Sequence, residues 1–377
     1  MAEIAEQTEQ VTISERDLDG FVRTPAVIYP AELGFVSLLK SDLARFLSMK
    51  NPLFRSEKDF SYWVAYRGTR PVGRILAHIH RASNELFAQK RAYFGYFDCE
   101  NDLGTARLLL SKAESFAREH EMTELIGNFN MTAMQQIGVV VKLHANYHYT
   151  DQAHAPEYVA KLLETYGFTP TFPMVTHETD IQALDPERLL GPKQKKILAD
   201  PSYKFVDLKS RPVKEIIEAM RHCLNSGFVD NPMFVPLTWD EIFFQAKDMM
   251  LVIDRHISSM VEHDGQPIGV IVCIPNLNPF LKAIGSKFGL TMIYHFLVHK
   301  FRRDSAVIIF YSVDKKYHEL GVNGAMLYRT MAALRKRGYR KLGGTWISLE
   351  NKSSLRQAEK LNARVMHELA LYRKALV

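Results

Sequence analysis

Hydrophobic and polar positions along the chain follow one order of elements, used twice. In the first half "SYWVAYRG" and "RPVGRILAHIH" read as strands joined at Gly68, and "AYFGYFDCE" as a third. They are short apolar or alternating runs bounded by turn residues. In "LGTARLLLSKAESFAREHEM", residues Ala106, Leu109, Leu110, Ala113, Phe116 and Ala117 recur at helical spacing and give one buried face. "TELIGNFN" reads as a strand. After a loop rich in polar and aromatic residues, "PEYVAKLLETYGF" reads as a helix, with Pro156 in its first turn and Gly167 as its stop.

The second half has a helix "PVKEIIEAMRHCLNSG", strands "HISSMVEHDG", "QPIGVIVCIPN" and "AVIIFYSVD", then a helix opened by "DKKYHELGVNGAM". A strand "YRKLGGTWISLEN", a helix "SSLRQAEKLNARV" and a strand "MHELALYRKAL" complete it. "RPVGRILAHI" answers "QPIGVIVCIP", and "AREHEMTELIGNFN" answers "LRKRGYRKLGGTWI". The simplest account is an α/β chain of two tandem units, each a mixed, mostly antiparallel sheet flanked by helices. Residues 1–18 read as a flexible tail, 19–190 as the first unit and 191–377 as the second, with the polar stretch 183–203 as the junction.

The 377 residues, 47% apolar and 24% charged, suffice for a sizeable core. A net charge of +6 suits an anionic ligand, an anionic membrane surface or an acidic carrier protein, and by itself does not argue for nucleic acid. Cys99, Cys223 and Cys273 lack metal or redox spacing, so they read as core residues in a reducing compartment. The acidic start is no secretory signal, and no window reaches the roughly 18–20 apolar residues of a membrane span. A cytoplasmic protein is expected, or one lying on the inner membrane.

Strand, glycine-bearing loop, amphipathic helix, strand ending in Glu-Asn, helix: this order resembles the GCN5-related N-acetyltransferase (GNAT) superfamily in its tandem form, over most of the chain. Such tandem proteins include mycothiol synthase, N-myristoyltransferase and the Fem peptidoglycan ligases. In the superfamily a loop of pattern Arg/Gln-x-x-Gly-x-Gly/Ala binds the coenzyme A pyrophosphate, and here His318, Gly321 and Asn323 take its three positions. The resemblance thus implies acyl-coenzyme A as co-substrate, held by Val313, His318, Gly321, Val322, Asn323, Gly324 and Asn351. A helix start offers free N–H groups and partial positive charge to phosphate, and Lys315 and Lys316 lie just upstream. The other reading of this loop is an ordinary helix start. In the first copy Asp98, Glu100 and Asp102 would repel pyrophosphate, so that unit is expected to shape the acceptor site.

Acyl transfer to nitrogen needs a neutral amine, and an alkyl amine is neutral at pH 7 only about once in 2,500 molecules, a cost of about 4.6 kcal/mol. Many superfamily members place a Tyr about eight residues into the last helix to protonate the leaving thiolate; that position falls at Leu163 and Ala358 here. The remaining catalytic candidates are Tyr311, Glu350 and Asn130. Glu350 can equally be a solvated strand-end charge, and Asn351 a helix N-cap. His144, His148 and His154 in "HANYHYTDQAH" have neither a Glu beside the first His nor a helix signal, so no metal is expected; they read as satisfied loop or acceptor-pocket residues.

In 278–304 Phe280, Leu281, Ile284, Phe288, Met292, Ile293, Phe296, Leu297 and Phe301 alternate with Lys282, Lys287, Lys300, Arg302 and Arg303. This suits a helix on a membrane surface or the mouth of a lipid channel; the other reading is a core helix between the units. Together these features favour an N-acyltransferase using acyl-coenzyme A and a long-chain or lipidic amine, similar to the bacterial ceramide synthases, which N-acylate sphingoid bases. A Fem-like ligase using aminoacyl-tRNA and an inactive acyl-coenzyme A-binding module stand as alternatives.

Overall fold

The computed structural model describes residues 10–286, 289 and 291–376, without the side chains of 248 and 251. The first half runs β1 (Val11–Glu15), α1 (Leu18–Ile28), α2 (Lys40–Phe46), β2 (Phe60–Arg67), β3 (Arg70–His78), α3 (Arg81–Leu86) and β4 (Arg91–Cys99). It goes on through α4 (Leu103–Glu119), β5 (Glu124–Gly127), β6 (Val139–Leu143), α5 (Tyr158–Tyr166) and β7 (Thr169–Asp180). The second half runs α6 (Pro192–Ala199), β8 (Tyr203–Val206), α7 (Val213–Gly227), α8 (Trp239–Val252), β9 (Ser259–His263), β10 (Gln266–Pro275), α9 (Asn278–Ala283) and α10 (Met292–Arg302). It ends with β11 (Ser305–Val313), α11 (Val322–Lys336), β12 (Lys341–Ser348), α12 (Lys352–Lys360) and β13 (Arg364–Ala375).

Local chemistry explains the boundaries. Asp102 caps α4 by accepting the Thr105 N–H at 2.7 Å, and the predicted apolar stripe of that helix is its buried face. The tight turn joining β2 and β3 has Gly68 at φ 58°, and that joining β9 and β10 has Gly265 at φ 78°. Thr238 and Glu241 form a capping box that starts α8.

Among the described residues the thirteen strands form one sheet, in the order β1-β2-β3-β4-β5-β13-β7-β12-β11-β10-β9-β8, with β6 also paired to β13. The pairs β4–β5 and β11–β12 are parallel. The centre of this order departs from two self-contained units. β7, from the first half, pairs with β12, and β13, from the second, pairs with β5 and β6. β7 and β13 also pair with each other, so the halves exchange their last strands. Leu369 and Leu371 of β13 consequently pack with Tyr93, Ile126 and Phe129 of the first half.

Three expectations change. The tail expected over 1–18 is shorter, because Val11–Glu15 pair with β2; residues 1–9 lie outside the described ones. The polar junction contains α6, which packs on α11. The core-helix reading of 278–304 fails for α10, none of whose residues is buried. Phe301 is 84% and Ile293 69% exposed, while Lys287 and Phe288 lie outside the described residues. The three cysteines are buried as expected, and burial raises each thiol pKa.

Candidate active site

Each parallel strand pair opens into a V. β4 and β5 stay paired from Arg91↔Glu124 to Tyr93↔Ile126 and then part; β11 and β12 do the same from Ser305↔Lys341 to Ile308↔Gly344. In the first half the chain fills the gap itself. Asn130 Oδ1 accepts the Tyr96 N–H at 2.7 Å, Asn128 Oδ1 accepts that of Phe97 at 3.2 Å, and the Phe129 N–H bonds the Phe94 carbonyl at 2.7 Å. In the second half the V leads into a cavity of about 580 Å³. β11, β12, α11 and α12 line it, the exchanged β7 contributes Phe172, His177 and Thr179, and first-half loops contribute Met134 and Asp151. Its volume falls in the range of small-molecule sites, roughly 300–1,000 Å³.

Of the predicted residues, Tyr311, Val313, His318, Asn323, Glu350 and Asn351 all line this cavity. Asn130 does not: it is buried in the closed opening of the first half, so the structure does not bring it together with Tyr311 and Glu350. Gly321, Val322 and Gly324 shape the start of α11 without being part of the wall. Gly321, at φ 107°, is the N-cap, and a Cβ there would lie 2.9 Å from Lys193 Cβ. A Cβ on Gly324 would meet the Gln194 side chain at 2.9 Å. The open faces of these glycines are thus taken by α6, a different use from the close ligand approach expected of Gly321.

The wall residues differ in freedom. The Tyr311 hydroxyl donates to the Asn323 carbonyl at 2.6 Å, and burial pushes its pKa well up, so this phenol is poorly placed as an acid or base. His318 Nε2 donates to the Val313 carbonyl at 2.9 Å and braces the loop. Asn351 Oδ1 caps α12 by accepting the Ser354 N–H at 3.0 Å. Glu350 is exposed at the rim.

The carboxylates of the first copy are answered by arginines. Asp98 accepts from Arg74 Nε at 2.7 Å and from the Tyr29 hydroxyl at 2.6 Å, and Glu100 pairs with Arg67 and Arg70. What fills that copy's opening is the pair of asparagines, rather than like charge. His148 and His154 stack at 4.7 Å, and His154 meets His367 edge-on at 5.1 Å. Their partners include the Val36 N–H, the Leu33 carbonyl and Thr176 Oγ1, and burial lowers all three pKa values. His144 stands apart and faces Glu368.

Among the wall residues that sequence reasoning passed over are His177 on β7 and Asp151, in the same "HANYHYTDQAH" stretch. Thr150 bonds Asn276 through its N–H and its hydroxyl, both at 3.2 Å, and accepts the Leu277 N–H at 2.7 Å. Gln152 Nε2 donates at 2.6 Å to the carbonyl of Gly344, the last residue at which β12 pairs with β11. Asp151 is therefore pinned from both sides, by Gln152 at the apex of the V and by Thr150 at the end of β10, with φ at 68°. Desolvation pushes its pKa up to about 7. The residue type was visible in the sequence, but its destination depends on tertiary contacts between the halves.

A helix packed over a splayed parallel pair, in two copies, with a glycine N-cap in the second, is the arrangement of a tandem GNAT fold. The chain has the tandem GNAT fold, and residues 215–363 match the acetyltransferase (GNAT) family model. The bacterial ceramide synthase of Caulobacter vibrioides (strain NA1000 / CB15N) is 26% identical over 96% of this chain and 95% of its own length. Protein YghO of Escherichia coli (strain K12) is 22% identical over 97% and 94%. Among solved structures, a tandem GNAT protein from the clavulanic acid biosynthesis pathway superposes with a TM-score of 0.60 at 13% identity, covering 98% of this chain and 99% of its own. A GCN5-related N-acetyltransferase from Sphaerobacter thermophilus gives 0.55 at 10% identity, covering 97% and 96%.

Proposed function

We propose that this chain transfers a long acyl group from acyl-coenzyme A to a long-chain, lipidic amine of the sphingoid-base type, forming an amide. The observation that carries this reading is the cavity at the β11–β12 V, whose wall includes Phe172, Phe228, Phe234, Phe310 and Trp346. Each buried CH₂ contributes about 0.8 kcal/mol, so a chain held there gains several kcal/mol with which to position the reacting carbonyl. The similarity to a bacterial ceramide synthase along nearly the whole chain supports the same acceptor class.

The pyrophosphate of the co-substrate fits at the start of α11, where backbone N–H groups lack helical partners and His318 and Asn323 border the cavity. Lys316 adds positive charge, whereas Lys315 is paired with Asp230. Glu350, in contact with both cavity and solvent, is placed to pass protons outward. With Ala358 at the family's tyrosine position, the leaving thiolate takes its proton from another donor.

No helix among the described residues is long and apolar enough to cross a membrane. We propose that α10 instead rests on an anionic lipid surface. Ile293, Tyr294, Phe296, Leu297 and Phe301 are exposed beside Lys300 and Arg302, and an interfacial helix combines apolar side chains with basic ones in this way. Thiol release from acyl-coenzyme A, followed across acyl lengths and amine acceptors, tests the proposed reaction. Amide formed fastest from long-chain pairs supports it, and preference for acetyl-coenzyme A with small amines contradicts it.

A further inference from the structure

Resting on the acceptor reading above, we propose that Asp151 is the residue that holds the substrate ammonium at the apex of the V and accepts its first proton. Three observations place it there. It is part of the cavity wall and its carboxylate has no hydrogen-bond partner among the described residues, whereas the other first-half carboxylates near an opening, Asp98 and Glu100, are answered by arginines. Its neighbour Gln152 fixes it against Gly344, where β11 and β12 begin to part, and Thr150 holds its other side to Asn276, just past the end of β10. Its backbone sits at φ 68°, a conformation that costs a non-glycine residue energy and is held by those flanking bonds.

An alkylammonium of ordinary pKa, about 10.4, gives a proton to a carboxylate of pKa near 7 with an equilibrium about three orders of magnitude less unfavourable than to an ordinary Asp. The ammonium loses one proton to Asp151, and its freed lone pair forms the C–N bond while the carbonyl electrons move to oxygen. Collapse of that intermediate breaks the C–S bond. The second nitrogen proton goes to the departing thiolate, and the proton on Asp151 returns to solvent. The other titratable groups lining the cavity are His177 on β7, Tyr311 on β11, His318, Asp230 and Glu350; Tyr96 on β4 senses the Asp151 charge. His177 is neutral at pH 7 because burial lowers its pKa, so it supplies no cation for Asp151.

The test compares binding of dodecylamine and dodecanol to the full chain by calorimetry, for wild type and Asp151→Asn. Asn suits both the shape and the positive φ. Wild type should bind the amine at least tenfold more tightly than the alcohol at pH 8 and lose the preference toward pH 5.5, as Asp151 protonates. D151N should bind both about equally at either pH. A raised carboxyl pKa in the fold means stability falls as pH rises from about 4 to 7. D151N should therefore melt at or above the wild-type temperature at pH 8, with the difference vanishing below pH 4. An amine preference retained in D151N overturns the assignment while leaving a chain-binding cavity. So does a D151N protein that melts lower at pH 8, since that would show the carboxylate to be held by a partner. Wild-type protein that binds neither ligand overturns the acceptor reading itself.

Discussion

Cut the chain at its junction, so that residues 191–377 are made without 1–190. The fragment contains all of the stretch that matches the family model, 215–363. It should nevertheless fail to fold, because β12 loses β7, and β13 loses β5, β6 and β7. Leu369, Leu371, Tyr372 and Leu376, now buried against first-half side chains, would face water. At about 1.5–3 kcal/mol for each of these four, the loss is about 6–12 kcal/mol, an upper range because it takes an extended chain as reference. A whole domain is stable by only about 5–15 kcal/mol, so the loss is comparable to everything available. Near-UV circular dichroism, gel filtration and urea titration of the fragment provide the assay. Co-expression of 1–190 with 191–377 should rescue both as a complex. A monomeric 191–377 with a single cooperative urea transition would show that the strand exchange is dispensable for the second half.

Gly321→Val combines a left-handed backbone position with a 2.9 Å approach to Lys193 Cβ, so it should shift α6 and the start of α11 and weaken coenzyme A binding tenfold or more, about 1.4 kcal/mol; unchanged calorimetric affinity would contradict the binding site. Glu350→Gln should slow turnover while leaving acyl-coenzyme A affinity within about twofold, and an equal loss in both would remove Glu350 from the proton path. Co-sedimentation should show preference for anionic over neutral liposomes, lost in 1 M salt as the screening length falls to about 3 Å. Phe301→Asp together with Lys300→Glu should abolish that preference, and recovery matching wild type would show that α10 does not face lipid.

Much of the fold was legible because its information is local. The apolar stripe of α4 and the run "AVIIFYSVD" state their element in their own periodicity. The strand exchange was not, because β7 reads as a mixed segment, "TPTFPMVTHETD". Its buried polar residues make sense only with their partners: Glu178 accepts from the Tyr147 and Tyr149 hydroxyls, at 2.7 and 2.6 Å, and pairs with Arg364 of β13. The cavity wall on β11, β12 and the intervening loop followed from the glycine-started helix and the Glu-Asn strand end. Asp151 and His177 escaped notice because a loop and a strand of the first half reach the second only through that exchange. Asn130 was misplaced for the complementary reason: it looked like the end of an open cleft, and the chain uses it to fill one.

Thiol release measures the proposed acyl transfer directly. Purified full-length protein is given palmitoyl-coenzyme A or acetyl-coenzyme A, each with a sphingoid-type long-chain amine or a small amine, and the amide is confirmed by mass spectrometry. Amide and free coenzyme A should form from the long-chain pair at least tenfold faster than from acetyl-coenzyme A with the small amine, as expected where about 1.4 kcal/mol or more of chain binding is used to position the thioester. Faster turnover with acetyl-coenzyme A, or no amide from any pair, would contradict the proposed transfer.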